Sequence, residues 1–263
     1  MTTAGEEKLT GGDRLAGRYR LRELIGAGDI GLVWRATDEV LHRTVAVKRI
    51  GQADGGRAVE EKARRLLNEA RIAARLDHPR LLRLLDVVVE DGLPWLVLQH
   101  VEARSWASLC QEHAPLPPRA AAHVAAQAAE ALAALHAAGV VHGDVTPENV
   151  LVDRDGEVKL VDFGMARLVG EGAPETAAMT GARDYRAPEV VAGAPPSPAA
   201  DVYALGAAVH EAVGGPPVVA GLPPSPAAGP LTSVLVGCLR PDPADRLDAS
   251  TARTLFAAVA ADA

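Results

Sequence analysis

Val140-Val141-His142-Gly143-Asp144-Val145-Thr146-Pro147-Glu148-Asn149-Val150-Leu151-Val152-Asp153 is the stretch from which the fold can be read. An apolar pair leads into a polar loop, and Val150-Leu151-Val152-Asp153 has the composition of a short strand. The turn residues Arg154-Asp155-Gly156 separate it from a second strand-like run, Val158-Lys159-Leu160-Val161-Asp162. Taken singly, Asp144, Asn149 and Asp162 are residue types that cap turns, and nothing more need be asked of them. Upstream, residues 117–139 read PPRAAAHVAAQAAEALAALHAAG, a helix opened by prolines and stopped by Gly139. Downstream, helical spacing returns near residues 200–213, 231–239 and 249–260, and the Pro- and Gly-rich stretch 214–230 reads as a loop.

The N-terminal part has a different texture. RYRLRELIG, LVWRATD and TVAVKRI, between residues 18 and 50, alternate polar with apolar and read as strands. Residues 51–56 read as a loop. A helix follows, with Leu66, Leu67, Ala70, Ala73, Ala74 and Leu76 recurring on one side and Pro79 as its terminator. LLRLLDVVVE and PWLVLQH, joined at Asp91-Gly92, add two more strands. The spacing therefore predicts an α+β chain: a lead over 1–12, a β-rich lobe with one long helix over 13–101, and a mainly helical lobe over 102–263.

Composition narrows the function classes. Of 263 residues 48% are apolar but only 3% aromatic, so helices are expected to pack closely through small side chains. A net charge of −7 leaves no basic excess for neutralising nucleic-acid phosphates. No apolar run approaches the roughly 20 residues of a membrane helix, and the first residues lack a signal-peptide core. Cys110 and Cys238, the only cysteines, have neither metal-ligand spacing nor the number for a disulfide framework. A cytoplasmic chain without nucleic-acid or membrane partners is the expectation.

Gly26-Ala27-Gly28-Asp29-Ile30-Gly31-Leu32-Val33 fits G-x-G-x-x-G-x-V, and the chain continues as a strand rather than opening a helix. That favours a glycine hairpin whose amides approach phosphate oxygens over a dinucleotide fold. Val45-Ala46-Val47-Lys48 follows, then Glu69 and His78-Pro79, then the 142–149 loop, Asp162-Phe163-Gly164 and Ala187-Pro188-Glu189. Each is weak alone, but five motifs in this order are hard to obtain by chance. Over residues 18–260 the chain resembles the eukaryotic-like (bacterial Hanks-type) Ser/Thr protein kinases.

The resemblance implies a bilobal fold that binds ATP with Mg²⁺ between its lobes and phosphorylates Ser/Thr hydroxyls of protein substrates. By its terms Lys48 reaches the α- and β-phosphates and Glu69 holds it. Asp144 orients the acceptor hydroxyl and takes its proton, and Asn149 and Asp162 hold the metal through hard oxygens. Ile25, Val33, Ala46, Leu98 and Leu151 would surround adenine, backbone groups of Gln99 and Val101 would read its edge, and Gly26, Gly28 and Gly31 would cover the phosphates. Asp201 resembles the buried carboxylate that braces the catalytic loop, and Arg246 the partner of Glu189. Thr176 and Thr180 are candidate phosphorylation sites, read equally well as hydroxyls of a loop. A separate regulatory partner is expected, since no sensor region is recognisable.

Three positions depart from the family pattern. Gly143 stands where the loop arginine is usual, so dependence on activation-segment phosphate should be weaker. Thr146 replaces a lysine that touches the γ-phosphate, and Ala182 replaces the threonine that bonds that lysine. Losing both avoids leaving one buried polar group unpaired, a cost of about 1–3 kcal/mol. Losing a cation at the transferred phosphoryl slows transfer by roughly a hundredfold. Three readings stay open: an active protein kinase, a nucleotide-binding or scaffolding pseudokinase, and a small-molecule kinase suggested by H-G-D-x-x-P-x-N. Ala187-Pro188-Glu189, Asp201 and Arg246 speak against the last.

Overall fold

The computed structural model describes residues 11–27, 31–50, 57–169, 185–218, 221 and 223–262. They fall into two compact units, one of residues up to Ala74 plus Arg83–His100, the other of Arg75–Leu82 plus the chain from Val101 onward. Gly12, in the expected lead, already donates its amide to Leu21 at 2.8 Å.

In the first unit, alternating sequence becomes an antiparallel sheet of β1 (Arg14–Leu15), β2 (Tyr19–Ala27), β3 (Gly31–Asp38), β4 (Arg43–Ile50), β5 (Leu84–Glu90) and β6 (Leu93–Gln99). Its order is β1-β2-β3-β4-β6-β5. Because side chains alternate between faces, Leu15, Tyr19, Leu21, Trp34, Ala36, Val45, Val47, Trp95 and Val97 gather into one core. The sheet curls enough for side chains near one edge to grip the other. Tyr19 Oη donates to Asp86 at 2.7 Å, and the amide of Ala16 donates to Glu90. The opposite register positions, Val33↔Lys48 and Ala46↔Leu98, put Val33, Ala46, Lys48 and Leu98 together on the other face.

Helix α1 (Arg57–Ala73) buries Leu66, Glu69, Ala70, Ile72 and Ala73. It ends at Ala73, well before Pro79, so proline is not its terminator, and Ala74 is exposed. Within the second unit Leu81 bridges the strand Val158–Leu160 in parallel, with Leu160 donating to Arg80 at 2.8 Å and Leu82 to Leu160 at 3.1 Å.

The second unit contains β7 (Ala103–Ser105), α2 (Trp106–His113), α3 (Pro118–Ala137), β8 (Val140–Val141), β9 (Val150–Asp153), β10 (Val158–Leu160), β11 (Arg167–Leu168) and α4 (Pro188–Val191). Helices α5 (Pro198–Ala212), α6 (Thr232–Cys238) and α7 (Ala249–Ala261) complete it. β10-β9-β7 and β11-β8 form two small sheets. Ala121, Ala122, Ala125, Ala128, Ala129 and Ala131 are fully buried on α3, which lets α5 and α7 lie close against it. Buried Gln127 pins the β9–β10 turn, donating to the Gly156 carbonyl at 2.8 Å and accepting from the Val158 amide at 3.0 Å. The stretch expected as loop carries a 3-10 turn at Pro226–Leu231. No described helix is long and apolar enough to cross a membrane.

Candidate active site

Lys48 emerges from β4 beside buried Val45, Ala46 and Val47. Its Nζ donates to both carboxylate oxygens of Glu69 on α1, at 3.0 and 2.8 Å, and both residues are buried. Taking two charges out of water costs several kcal/mol per ion before their attraction is counted, so this pair is kept in a form that packing alone does not demand. Ile25 and Gly26 lie in β2, Gly31 and Val33 in β3, and Leu98 and Gln99 in β6 of the same unit. The Gln99 amide is engaged with the Arg83 carbonyl at 2.9 Å.

The second unit builds its loop from the backbone outward. Asp201, at 2% exposure in the first turn of α5, accepts the amides of His142 at 2.8 Å and Gly143 at 2.9 Å, one on each oxygen. His136, from the last turn of α3, places Nε2 2.9 Å from the same carboxylate. The sequence reading missed His136, one of two histidines on an alanine-rich helix with no motif to mark it. The loop is therefore held by its own peptide groups rather than by exposed side chains. His142 Nε2 donates to the Val161 carbonyl at 3.1 Å, while its Nδ1 accepts the Asp144 amide at 3.3 Å.

Within this frame Asn149 is oriented by two bonds: its amide nitrogen donates to Asp144's carbonyl at 2.9 Å and to Asp144 Oδ2 at 3.0 Å. Burial pushes the Asp144 carboxyl above its usual range, with Asp162 adding to the rise; His142, the Asn149 hydrogen bond and Arg186 oppose it. Asp162 sits at φ 66°, ψ 79°, a left-handed conformation that costs a non-glycine residue about 1–2 kcal/mol, and its carboxylate accepts the Gly164 amide at 3.2 Å. Thr146 is buried within the loop. Leu151 lies in β9, and Val101 opens the unit with its carbonyl accepting from Ala103 at 3.0 Å. Glu189 and Arg246 meet in a two-pronged pair at 2.6 and 2.7 Å. Gly28, Thr176, Thr180 and Ala182 lie outside the described residues.

A curled antiparallel sheet with a Lys–Glu pair and a helical unit with an Asp-braced Asp/Asn loop define the class of the phosphotransferases of protein-kinase fold. A family model for the protein kinase domain matches residues 19–227, and the chain belongs to that family. It is 39% identical to the serine/threonine-protein kinase PknA of Mycobacterium tuberculosis over 211 residues, 78% of this chain and 48% of the relative. It is 35% identical to a probable serine/threonine-protein kinase of Corynebacterium efficiens over 208 residues, 76% of this chain and 31% of that protein. With PrkC of Bacillus subtilis it shares 33% identity over 207 residues, 78% of this chain and 31% of the relative. The matched part thus spans about a third to a half of these relatives' length.

Proposed function

We propose that this chain is an active Ser/Thr protein kinase that transfers the γ-phosphoryl group of ATP, with Mg²⁺, to hydroxyls of protein substrates. The observation that carries the reading is the orientation of Asn149. With its nitrogen turned onto Asp144, its side-chain oxygen is left for a cation and Asp144 Oδ1 for a hydroxyl. Hard oxygen donors of this kind suit Mg²⁺, which takes one or two protein ligands and completes its shell with water and phosphate. Asn149 and Asp162 would hold the ion, which neutralises phosphate charge when bound.

The chain's own residues supply the rest. Lys48, held by Glu69, engages the α- and β-phosphates. The acceptor oxygen bonds to the γ-phosphorus as the bond from that phosphorus to the bridging oxygen breaks. The hydroxyl proton passes to Asp144, and ADP leaves. The glycine positions Gly26, Gly28 and Gly31 cover the phosphates. Ile25, Val33, Ala46, Leu98 and Leu151 flank adenine, whose edge is read by Val101 and by the carbonyl of Gln99. Gly143 leaves the loop without its usual arginine, so phosphate on Thr176 or Thr180 is not required. Two free cysteines suit a reducing cytoplasm, where a separate partner would supply regulation.

Intact mass after incubation with Mg²⁺ and ATP, or transfer to a generic protein acceptor, tests the reading beside an Asp144→Asn control. Stepwise phosphate on the parent and none on the control is the expected result. A parent chain that binds nucleotide but gains and transfers no phosphate would replace this reading with that of a pseudokinase.

A further inference from the structure

His210 has no part in the chemistry above. It lies in the last turn of α5, only 4% exposed. Its Nε2 accepts the backbone amide of Ser225 at 2.8 Å, and its own carbonyl accepts Gly215's amide at 2.9 Å. The ring sits so close to Gly215 that a Cβ there would stand 2.3–2.5 Å from three ring atoms. Ser225 in turn opens the Pro226–Leu231 turn, its Oγ accepting from Ala227 at 3.3 Å. Ala228 and Leu231 of that turn are fully buried, and it packs on α3, α6 and α7. One imidazole thus ties the end of α5 to the residue that caps a turn anchored by two buried side chains.

We propose that His210 is a proton-operated latch that fastens Ser225 and the turn it opens to α5. A neutral ring offers Ser225 a lone pair on Nε2. A proton taken from solvent onto Nε2 sets donor against donor, and the tie opens. With Nε2 accepting, the neutral ring carries its proton on Nδ1. That atom is buried without a well-formed hydrogen bond among the described residues, and the Pro216 carbonyl is the backbone group that acts on the ring. Burial pushes the ring below the ordinary histidine value of 6.5, and the Pro216 carbonyl opposes it less strongly. Nearby charges are engaged elsewhere: Glu211 accepts from Tyr185 Oη at 2.5 Å, Asp201 holds the loop amides, and Glu130 on α3 faces His78 and Arg80. α6 carries only the Cys238 thiol, Arg253 of α7 is exposed, and no charged side chain among the described residues contributes to the shift at His210. The latch is therefore closed above pH 6.5 and opens as pH falls below it.

Nitrogen NMR of the His210 ring, read with the exchange of the Ser225 amide across about pH 8 to 5, tests this on the full chain without nucleotide. The expected result is an Nδ1–H tautomer, a ring midpoint below 6.5, and a Ser225 protection factor, taken against the intrinsic rate at each pH, that falls about tenfold one pH unit below that midpoint. His210→Gln keeps an acceptor that does not titrate, so Ser225 protection there should not depend on pH. A ring midpoint at or above 6.5, an Nε2–H tautomer, or a Ser225 amide indifferent to the ring's titration would overturn the latch.

Discussion

At single residues, the 142–149 loop is shaped by backbone demands. Gly143 holds φ +77° and donates to Asp201, and a Cβ there would meet the Met165 carbonyl at 3.0 Å. Its departure from the family's arginine is thus a substitution this loop geometry does not reverse freely. Gly143→Ala should lose about 1–2 kcal/mol in denaturant unfolding, because a side chain is forced into left-handed geometry. Arg246 presents the opposite case, a side chain whose every donor group is engaged. Besides Glu189 it donates to the carbonyls of Arg240, Ala199 and Pro241 at 2.7, 3.0 and 3.0 Å, and its side chain is fully buried. Arg246→Ala strands Glu189 and three carbonyls, and a loss of about 3 kcal/mol or more is expected by the same measurement.

Among elements, one hexapeptide meets two fates. Pro-Pro-Ser-Pro-Ala-Ala occurs at 195–200 and again at 223–228, and in both copies the serine caps the helical turn it precedes. The first copy runs on into Asp201 and an apolar series and starts the 15-residue α5, whereas the second meets Gly229 and Pro230 and stops as a 3-10 turn. α5 and α6 approach where Gly206 faces Cys238, with only 2.7 Å left for a Cβ. Gly206→Ala should therefore cost about 1–3 kcal/mol through overpacking, visible as a lower denaturant midpoint at unchanged slope. The β3–β4 turn is gathered around Asp38, which Arg18 grips with two bonds of 2.8 Å and whose oxygen accepts two turn amides. The Arg18 guanidinium holds its carboxyl down at about 2, against 3.8 for a free one. Stability from this group is whole above pH 3.8 and is lost as pH falls toward 2. Stability curves for Asp38→Asn should be lower at neutral pH and flatter across that interval.

For the whole molecule, the proposed chemistry predicts linkage. ATP with Mg²⁺ at 100 times its dissociation constant should add about 2.7 kcal/mol of apparent stability, and chelating the metal or changing Asp162→Asn should remove most of it. Thermal unfolding with and without chelator measures this independently of turnover. The residues proposed for that chemistry were legible from the sequence because phosphate and metal chemistry admits few residue types, so Lys48, Glu69, Asp144, Asn149 and Asp162 stand out by type and order. Long alternating or helical segments were equally legible, since their periodicity reports which face is buried. The two-residue strands β1, β8 and β11 were not, because two residues carry no period. Nor was the early end of α1 at Ala73, since the helical spacing of the sequence runs on to Leu76. Residue type and local spacing are enough to establish the family, the order of elements and the chemical inventory. Tertiary packing alone adds His136 to Asp201 as a brace of the loop, turns the Asn149 nitrogen to Asp144, and ties His210 to Ser225. Those contacts join residues up to 65 positions apart, and their geometry exists only once the helices have packed.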